Sequence, residues 1–483
     1  MRLILSRLLI GILYCLAVLV FFEASARVGL SSDWLFTRIT SGKDNASNRL
    51  AYVHGWRPNH LQHIDIYHPV RGWTLMPNLR HVQLPDGTVV SSNSRGIRGT
   101  KEYTYDKPAD VVRILTVGDS FTFGEQVRDD QTWSYYLQNL LPGSEVLNFG
   151  VHGYGNDQML LYLRNEGIKY HPDIVILGFV ALDMDRNLVS FRDFAKPRFV
   201  LDGARLVLTN TPIPTAKEVV AQEPWRSKFA DLLTMLYGRY LQWSGKLDTE
   251  RNRLTAALLD DIAKTIRAAG AVPIFVYLPV YDEIPRPEMD MSDGERFFFA
   301  YCRERKIRSI SLQKYFYEKA KRGVAHKTFD HWSPNEHLTA AEGIREYVVE
   351  NDLMPLFQSR PDSPERLEEE LEDLQEGSAT EHGRPHLTRM ADHRPASAQR
   401  RRRGLKLHGD GVPVAHAREA GRYDGIHDGG CPGRANGCRP GSSVRADDGA
   451  RRPAGHRHAR RRSPAARVEA AAGAAPALSR NQG

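Results

Sequence analysis

Cysteine is scarce in this chain, with four residues among 483. Cys15 sits in an apolar N-terminal run, Cys302 in a candidate helix, and Cys431 and Cys438 near the C-terminus. That scatter provides neither a disulfide framework nor a metal-ligand spacing. Aromatic residues all but vanish after about 380: from Glu381 onward there are one Tyr, one Ile and one Lys, and no Phe or Trp. Such a segment cannot bury enough apolar surface to offset its chain entropy. Its Arg/Ala/Gly/Pro/His bias fits either a native disordered tail or a GC-rich gene read out of frame. The body also lacks a positive excess. The net charge of +8 arises in the tail, where 20 Arg and one Lys face nine acidic residues, leaving −4 for the first 380 residues. A mildly acidic body removes nucleic acid from the candidate partners.

Long hydrophobic runs are equally rare, and the one present stands at the N-terminus. Arg2 and Arg7 precede an uninterrupted apolar stretch from Leu8 to Phe22. Counted from Leu3, the run approaches the ~20 residues that span a bilayer. Ala24-Ser25-Ala26 has the small-x-small form of a cleavage site. Residues 1–29 therefore read as a membrane anchor or a signal segment. In both cases the basic residues stay inside and the body is exported.

Residues 30–107 are polar and rich in Pro, Gly and Asn, and read as an extended lead-in packing on a main domain at 108–358. From Val111 strand and helix signals alternate. Strands are expected at Val111–Val117, Glu145–Phe149, Asp173–Val180, Ala271–Leu278 and Ile307–Leu312, each with the continuous apolar core of a strand covered on both faces. Helices are expected at Gln131–Leu141, Asp157–Tyr170, Glu295–Lys306 and Glu336–Asn351. Another carries the stripe Leu254, Leu258, Ile262 and Ile266 and ends at Gly270. This rhythm predicts a three-layer α/β/α sandwich with a doubly wound, mainly parallel five-stranded sheet. An insertion at about 185–250, with the amphipathic "WRSKFADLLTMLYGRYLQW", interrupts it. Residues 359–483 read as an acidic helix followed by the low-complexity tail.

The stretch "ILTVGDSFTFGEQV" ends an apolar run on Gly-Asp-Ser. In an open doubly wound sheet, ligands sit beyond the carboxyl ends of the strands, which is where Ser120 falls. Serine is also a good N-cap, so the tripeptide alone permits a purely structural turn. A serine nucleophile needs a general base, and "FDHWSPNEH" offers His331 beside Asp330. The three residue types are those of a nucleophile, base and orienting carboxylate. An oxyanion hole needs backbone donors. Gly153 in "NFGVHGYGNDQ" can bring its N–H close because no side chain intervenes, and the Ser120 N–H at a helix start is a second donor. His337 reads as a helix-start residue, Asp119 as a structural support for the turn, and Trp332 as packing. Tyr154, Asn156 and Gln158 read as first-turn helix residues, and His152 as a loop residue near the site.

The ordered blocks GDSFTFG, NFGVHGYG, PDIVILGF and DHWSPNEH, with "SSNSRGIRG" upstream, resemble the SGNH/GDSL hydrolase family over roughly residues 65–355. The resemblance is to its membrane-anchored bacterial members. It implies an SGNH/flavodoxin-like fold with Ser120 as nucleophile, His331 as base, Asp330 as acid and Gly153 as an oxyanion donor. Two positions depart from the family pattern. Leu182 stands before Asp183 where the family carries an oxyanion Asn, and Asn187, one turn later, is the candidate to replace it. Asp330 and His331 are adjacent, so a turn must bring the two together.

The resemblance implies an SGNH-type serine esterase or acyl hydrolase acting on ester-linked acyl groups, including acetyl groups on envelope carbohydrate. It implies no metal and no organic cofactor. The body is expected on the periplasmic or extracellular side of a bacterial cell membrane, with an acylated small molecule or glycan as substrate. A membrane-bound acyltransferase is a candidate partner. Two alternatives stay open: an O-acetyltransferase domain for an exported polysaccharide, and a non-catalytic glycan-binding scaffold of an envelope assembly.

Overall fold

The computed structural model describes residues 2–40, 43–56, 64–280, 283–284, 291–323 and 331–354. The acidic helix and tail expected beyond 358 lie outside the described residues, as does Asp330.

The N-terminal segment is one helix, α1 (Arg2–Leu30). The lead-in then departs from the extended chain expected for it. It contains two short helices, α2 (Asp33–Ile39) and α3 (Asn45–Val53), before two small antiparallel pairs. Those pairs are β1 (Asp65–His68) with β2 (Gly72–Leu75) and β3 (Val82–Gln83) with β4 (Val89–Val90). Helices this short are marginal alone. Here Phe36, Ala46, Leu50 and Ala51 form an apolar cluster with Leu30 and with Met235 of the insertion. That tertiary contact stabilises helix where local pattern gave little sign of it.

Five parallel strands form the main sheet: β5 (Val112–Gly118), β6 (Ser144–Gly150), β7 (Ile174–Phe179), β10 (Val272–Tyr277) and β11 (Arg308–Ser311). Their spatial order is β6-β5-β7-β10-β11. Alternate residues feed two separate cores. Leu115 and Val117 of β5, Leu177 of β7 and Phe275 of β10 face one layer, with the helices Asn156–Asn165, Lys246–Ala268 and Asp293–Glu304. Ile114, Ile176 and Val276 face the other, with Trp133–Leu140, Gln313–Lys321 and Pro334–Glu350. This is the expected three-layer α/β/α sandwich. Each of the five strands lies within one or two residues of its sequence-based position.

Between β7 and β10 the chain makes the helix Leu182–Arg186 and the hairpin β8 (Arg198–Asp202) with β9 (Arg205–Thr209). The helices Ala216–Gln222, Lys228–Trp243 and Lys246–Ala268 follow. The sheet order reverses between β5 and β7, so the loops after these strands diverge and leave a crevice at their carboxyl ends. Ser120 opens the loop after β5.

Candidate active site

The turn after β5 is held from below by glycine. Gly118 and Gly150 are partners in the β5–β6 register. A Cβ on Gly150 would overlap the backbone of Thr122 and Phe123, and one on Gly118 would overlap the Thr122 side chain. The one-turn helix Ser120–Phe123 therefore presses directly onto the strand ends. Its N-cap is Asp119, whose carboxylate accepts the Phe121 N–H at 3.0 Å. Ser120 is the first helical residue, which frees its hydroxyl from a capping role.

His331 arrives from the opposite end of the sequence. Its Nε2 stands 2.8 Å from Ser120 Oγ, and its ring tilts against Phe121 with centroids 5.0 Å apart. The partners are 211 residues apart in the chain and share the rim of one sheet. Glu125 Oε2 lies 3.6 Å from the same Nε2. Nothing in the sequence motifs singled out Glu125.

One buried guanidinium ties the loops after the three adjacent strands. Arg186 Nη1 donates to Asp119 Oδ2 at 2.7 Å, to Asp183 Oδ1 at 2.7 Å and to the Tyr154 carbonyl at 3.0 Å. These acceptors follow β5, β7 and β6 respectively. Burial, and next the Asp119 charge, push the Asp183 carboxyl well above its usual range. Burial alone would lower Arg186, but the Asp119 and Asp183 charges outweigh it and raise its pKa. The Asp183–Arg186 spacing of three on a helix was a readable pairing signal; the reach to Asp119 was not.

Gly153 follows β6 with φ +73, a left-handed backbone conformation that favours glycine. A Cβ there would lie 2.8 Å from both Arg192 Nη1 and Asp193 Oδ2. The neighbouring His152 is buried, with Nε2 2.5 Å from Asp65 Oδ2 on β1. Burial lowers His152, but the Asp65 carboxylate outweighs it and raises the imidazole to about 9. The lead-in thus forms one wall of the site. Trp73 Nε1 donates to the His152 carbonyl at 3.0 Å, Tyr154 Oη donates to the Trp73 carbonyl, and Gln158 Nε2 donates to the Arg71 carbonyl at 2.8 Å. Tyr154 and Gln158 are therefore fastenings for the lead-in.

Asn187 is not brought to Ser120. Its Nδ2 donates to Asn156 Oδ1 at 3.0 Å and to Thr255 Oγ1 at 3.1 Å, which occupies both amide hydrogens. Leu182 is 48% exposed. His337, expected at a helix start, lies in the first turn of Pro334–Glu350 but points inward and is fully buried. Its Nδ1 accepts the Trp133 backbone N–H at 3.2 Å. Burial, helped by the charges of Arg98 and His331, lowers it to about 3. Trp332 is likewise buried, with Nε1 donating to the Pro279 carbonyl at 3.0 Å. Among the described residues no group of three or more His, Cys, Asp or Glu could hold a metal ion.

No family model and no curated protein matches the chain. Several solved structures are similar to it. A member of the lipolytic protein G-D-S-L family from Veillonella parvula is 12% identical, with 50% of this chain and 97% of that chain covered and a TM-score of 0.29. Axe2, an acetylxylan esterase from Geobacillus stearothermophilus, is 16% identical, with 50% and 96% covered and a TM-score of 0.31. A two-domain esterase active on acetylated mannans, co-crystallised with mannopentaose, is 13% identical, with 53% and 52% covered and a TM-score of 0.31. At this distance the roles of Ser120 and His331 rest on the geometry of this chain alone.

Proposed function

We propose that this protein is a membrane-anchored serine hydrolase of SGNH type that cleaves ester-linked acyl groups. The observation that carries the reading is the 2.8 Å approach of His331 Nε2 to Ser120 Oγ at the switch point of the sheet. That distance is within hydrogen-bond reach for a general base.

In this reading unprotonated Nε2 takes the Ser120 proton as Oγ attacks the ester carbonyl carbon. The carbonyl oxygen becomes an oxyanion facing the backbone N–H groups of Ser120 and Gly153. Collapse breaks the bond to the alcohol oxygen, which leaves with the proton held by His331. Water then attacks the acyl-serine, gives its proton to His331, and the acid departs as Oγ recovers the proton. Glu125, 3.6 Å from Nε2, supplies negative charge that stabilises the imidazolium. Asp330 is proposed as the carboxylate that orients the ring. Leu182 leaves the family's Asn donor without a replacement in Asn187, and loss of one donor typically costs about 10²–10³ in turnover. A slow enzyme follows.

The substrate proposed is an O-acylated, and in particular O-acetylated, envelope carbohydrate. Support comes from α1, a helix long and apolar enough by length and composition to cross a membrane, with none of its most apolar window buried in the protein. Arg2 and Arg7, at the N-terminal side of the uninterrupted apolar run Leu8–Phe22, favour an N-in orientation, which leaves the body on the exported side. The purified full chain should be labelled by a fluorophosphonate probe, and Ser120→Ala should abolish labelling while the circular dichroism spectrum is unchanged. An unlabelled but folded wild-type chain would sink the hydrolase reading and favour the non-catalytic glycan-binding scaffold.

A further inference from the structure

The uninterrupted apolar run of α1 is Leu8–Phe22; counted from Leu3, with Ser6 and Arg7 inside it, the window is twenty residues, or about 30 Å of helix, close to the hydrocarbon thickness of a bilayer. The next residue, Glu23, marks the end of that window, and what packs there comes from the insertion. Glu23 accepts the Ser227 hydroxyl at 2.7 Å and the backbone N–H groups of Lys228 and Phe229 at 3.0 Å each. It thereby caps the helix Lys228–Trp243 from outside. Arg27 Nη2 donates to the carbonyls of Pro224 at 3.3 Å and Arg226 at 3.1 Å, and Phe22 stacks on Phe229 with centroids 5.2 Å apart. These contacts clamp the turn Glu223–Trp225 to α1.

Trp225 is 90% exposed. It lines a surface cleft shared with Leu19, Val20, Ala24 and Phe229, at the boundary between the apolar window and the charged residues beyond it. A bare indole beside the last turns of a candidate span, followed in the chain by the exposed Arg226, has the chemistry of the membrane interface. Trp sits there with its ring in the apolar boundary and its N–H toward the headgroups, and Arg meets the phosphates.

We propose that Trp225 and its turn enter the interface of the bilayer beside α1, forming a second membrane contact that sets the tilt of the body over the lipid. The occupant of this surface is lipid because the surface continues the apolar face of α1. The inference rests on the membrane reading above.

The same geometry places the other exposed indoles away from lipid. The helix Lys228–Trp243 runs beside the end of α1, where Met235 joins Leu30, and then along α2, where Arg239 donates to the Arg38 carbonyl. Trp243, 85% exposed, lies 14 residues beyond Phe229, or about 21 Å farther along the helix. That exceeds the several Å of headgroup layer on each side of the hydrocarbon core. Trp34 lies past the end of α1 on α2, and Trp73, Trp133 and Trp332 are buried in the body.

The test uses the full chain in phosphatidylcholine vesicles with acyl chains brominated near the headgroup, reading tryptophan quenching. Trp225→Phe should remove most of the quenching seen in the wild type, and Trp243→Phe should leave it in place. Quenching that survives Trp225→Phe, or that is lost with Trp243→Phe, overturns the proposal. So does a chain that resists carbonate extraction yet shows no quenching, since its Trp225 then faces water, a second copy or another protein. Release of the wild type by carbonate would instead remove the membrane reading itself.

Discussion

Two histidines six residues apart, His331 and His337, are expected to fail in opposite ways when truncated. Replacing His337 by Ala leaves the buried Trp133 N–H without its acceptor. An unpaired buried donor costs about 1–3 kcal/mol, and the vacated imidazole volume beside Trp332 adds to it. A loss of roughly 2–4 kcal/mol follows. At roughly 2 °C per kcal/mol for a domain this large, the melting temperature should fall by about 4–8 °C. Turnover of the fraction still folded at low temperature should stay near wild type. His337→Asn, which can present Oδ1 near the position of Nδ1, should recover part of the stability. His331→Ala removes the proposed base from a partly open rim and should leave the melting temperature nearly unchanged. Its hydrolysis of p-nitrophenyl acetate should fall by about 10²–10⁴-fold, the usual contribution of a general base. With His337 lowered to about 3, it cannot be the source of an acid limb near neutrality in the pH–rate profile. An inactive but fully stable His337→Ala, or an active His331→Ala, would refute the assignment.

Gly153→Ala should lose most esterase activity, because it combines a left-handed φ with a clash against Arg192 and Asp193; about 1–2 kcal/mol of backbone strain alone is expected. Wild-type turnover in a purified Gly153→Ala chain would remove Gly153 from the site. The Asp65–His152 pair gives a pH signature of defined sign. His152 rises from an ordinary value near 6.5 to about 9 in the folded protein, facing Asp65, Glu125 and Asp193. Its contribution is present below about 6.5 and is lost as pH rises through 9, by at most about 3 kcal/mol. In Asp65→Asn the largest raising cause is gone and burial opposes only Glu125 and Asp193, so denaturant midpoints should show a clearly smaller loss between pH 6.5 and 9. A fall of equal size in both proteins would show that another group titrates.

Local pattern was enough for the layers of this protein, and for placing Ser120 at the rim of its sheet. β5, β6, β7, β10 and β11 were legible because strands covered on both faces are written as unbroken apolar runs. The helix Lys246–Ala268 was legible because Leu254, Leu258, Ile262 and Ile266 repeat at its period. Gly-Asp-Ser at a strand end marked the rim, although only the backbone shows that Asp119, and not Ser120, caps the turn. What no local pattern encodes is which distant side chains meet there. Sheet order β6-β5-β7-β10-β11 brings His331 to Ser120 and lets Arg186 hold three loops at once. Asp65, from a segment with little periodicity, reaches His152 only because Trp73, Tyr154 and Gln158 fasten the lead-in to the domain. His337 read as a helix-start residue, which it is, and its burial follows only from the packing of that face of the last helix against Trp133 and Trp332. Glu23 caps a helix 204 residues away from it. Periodicity is a property of neighbours along the chain. Partnership between distant groups is decided by packing, and it is packing that turns these scattered residues into one site.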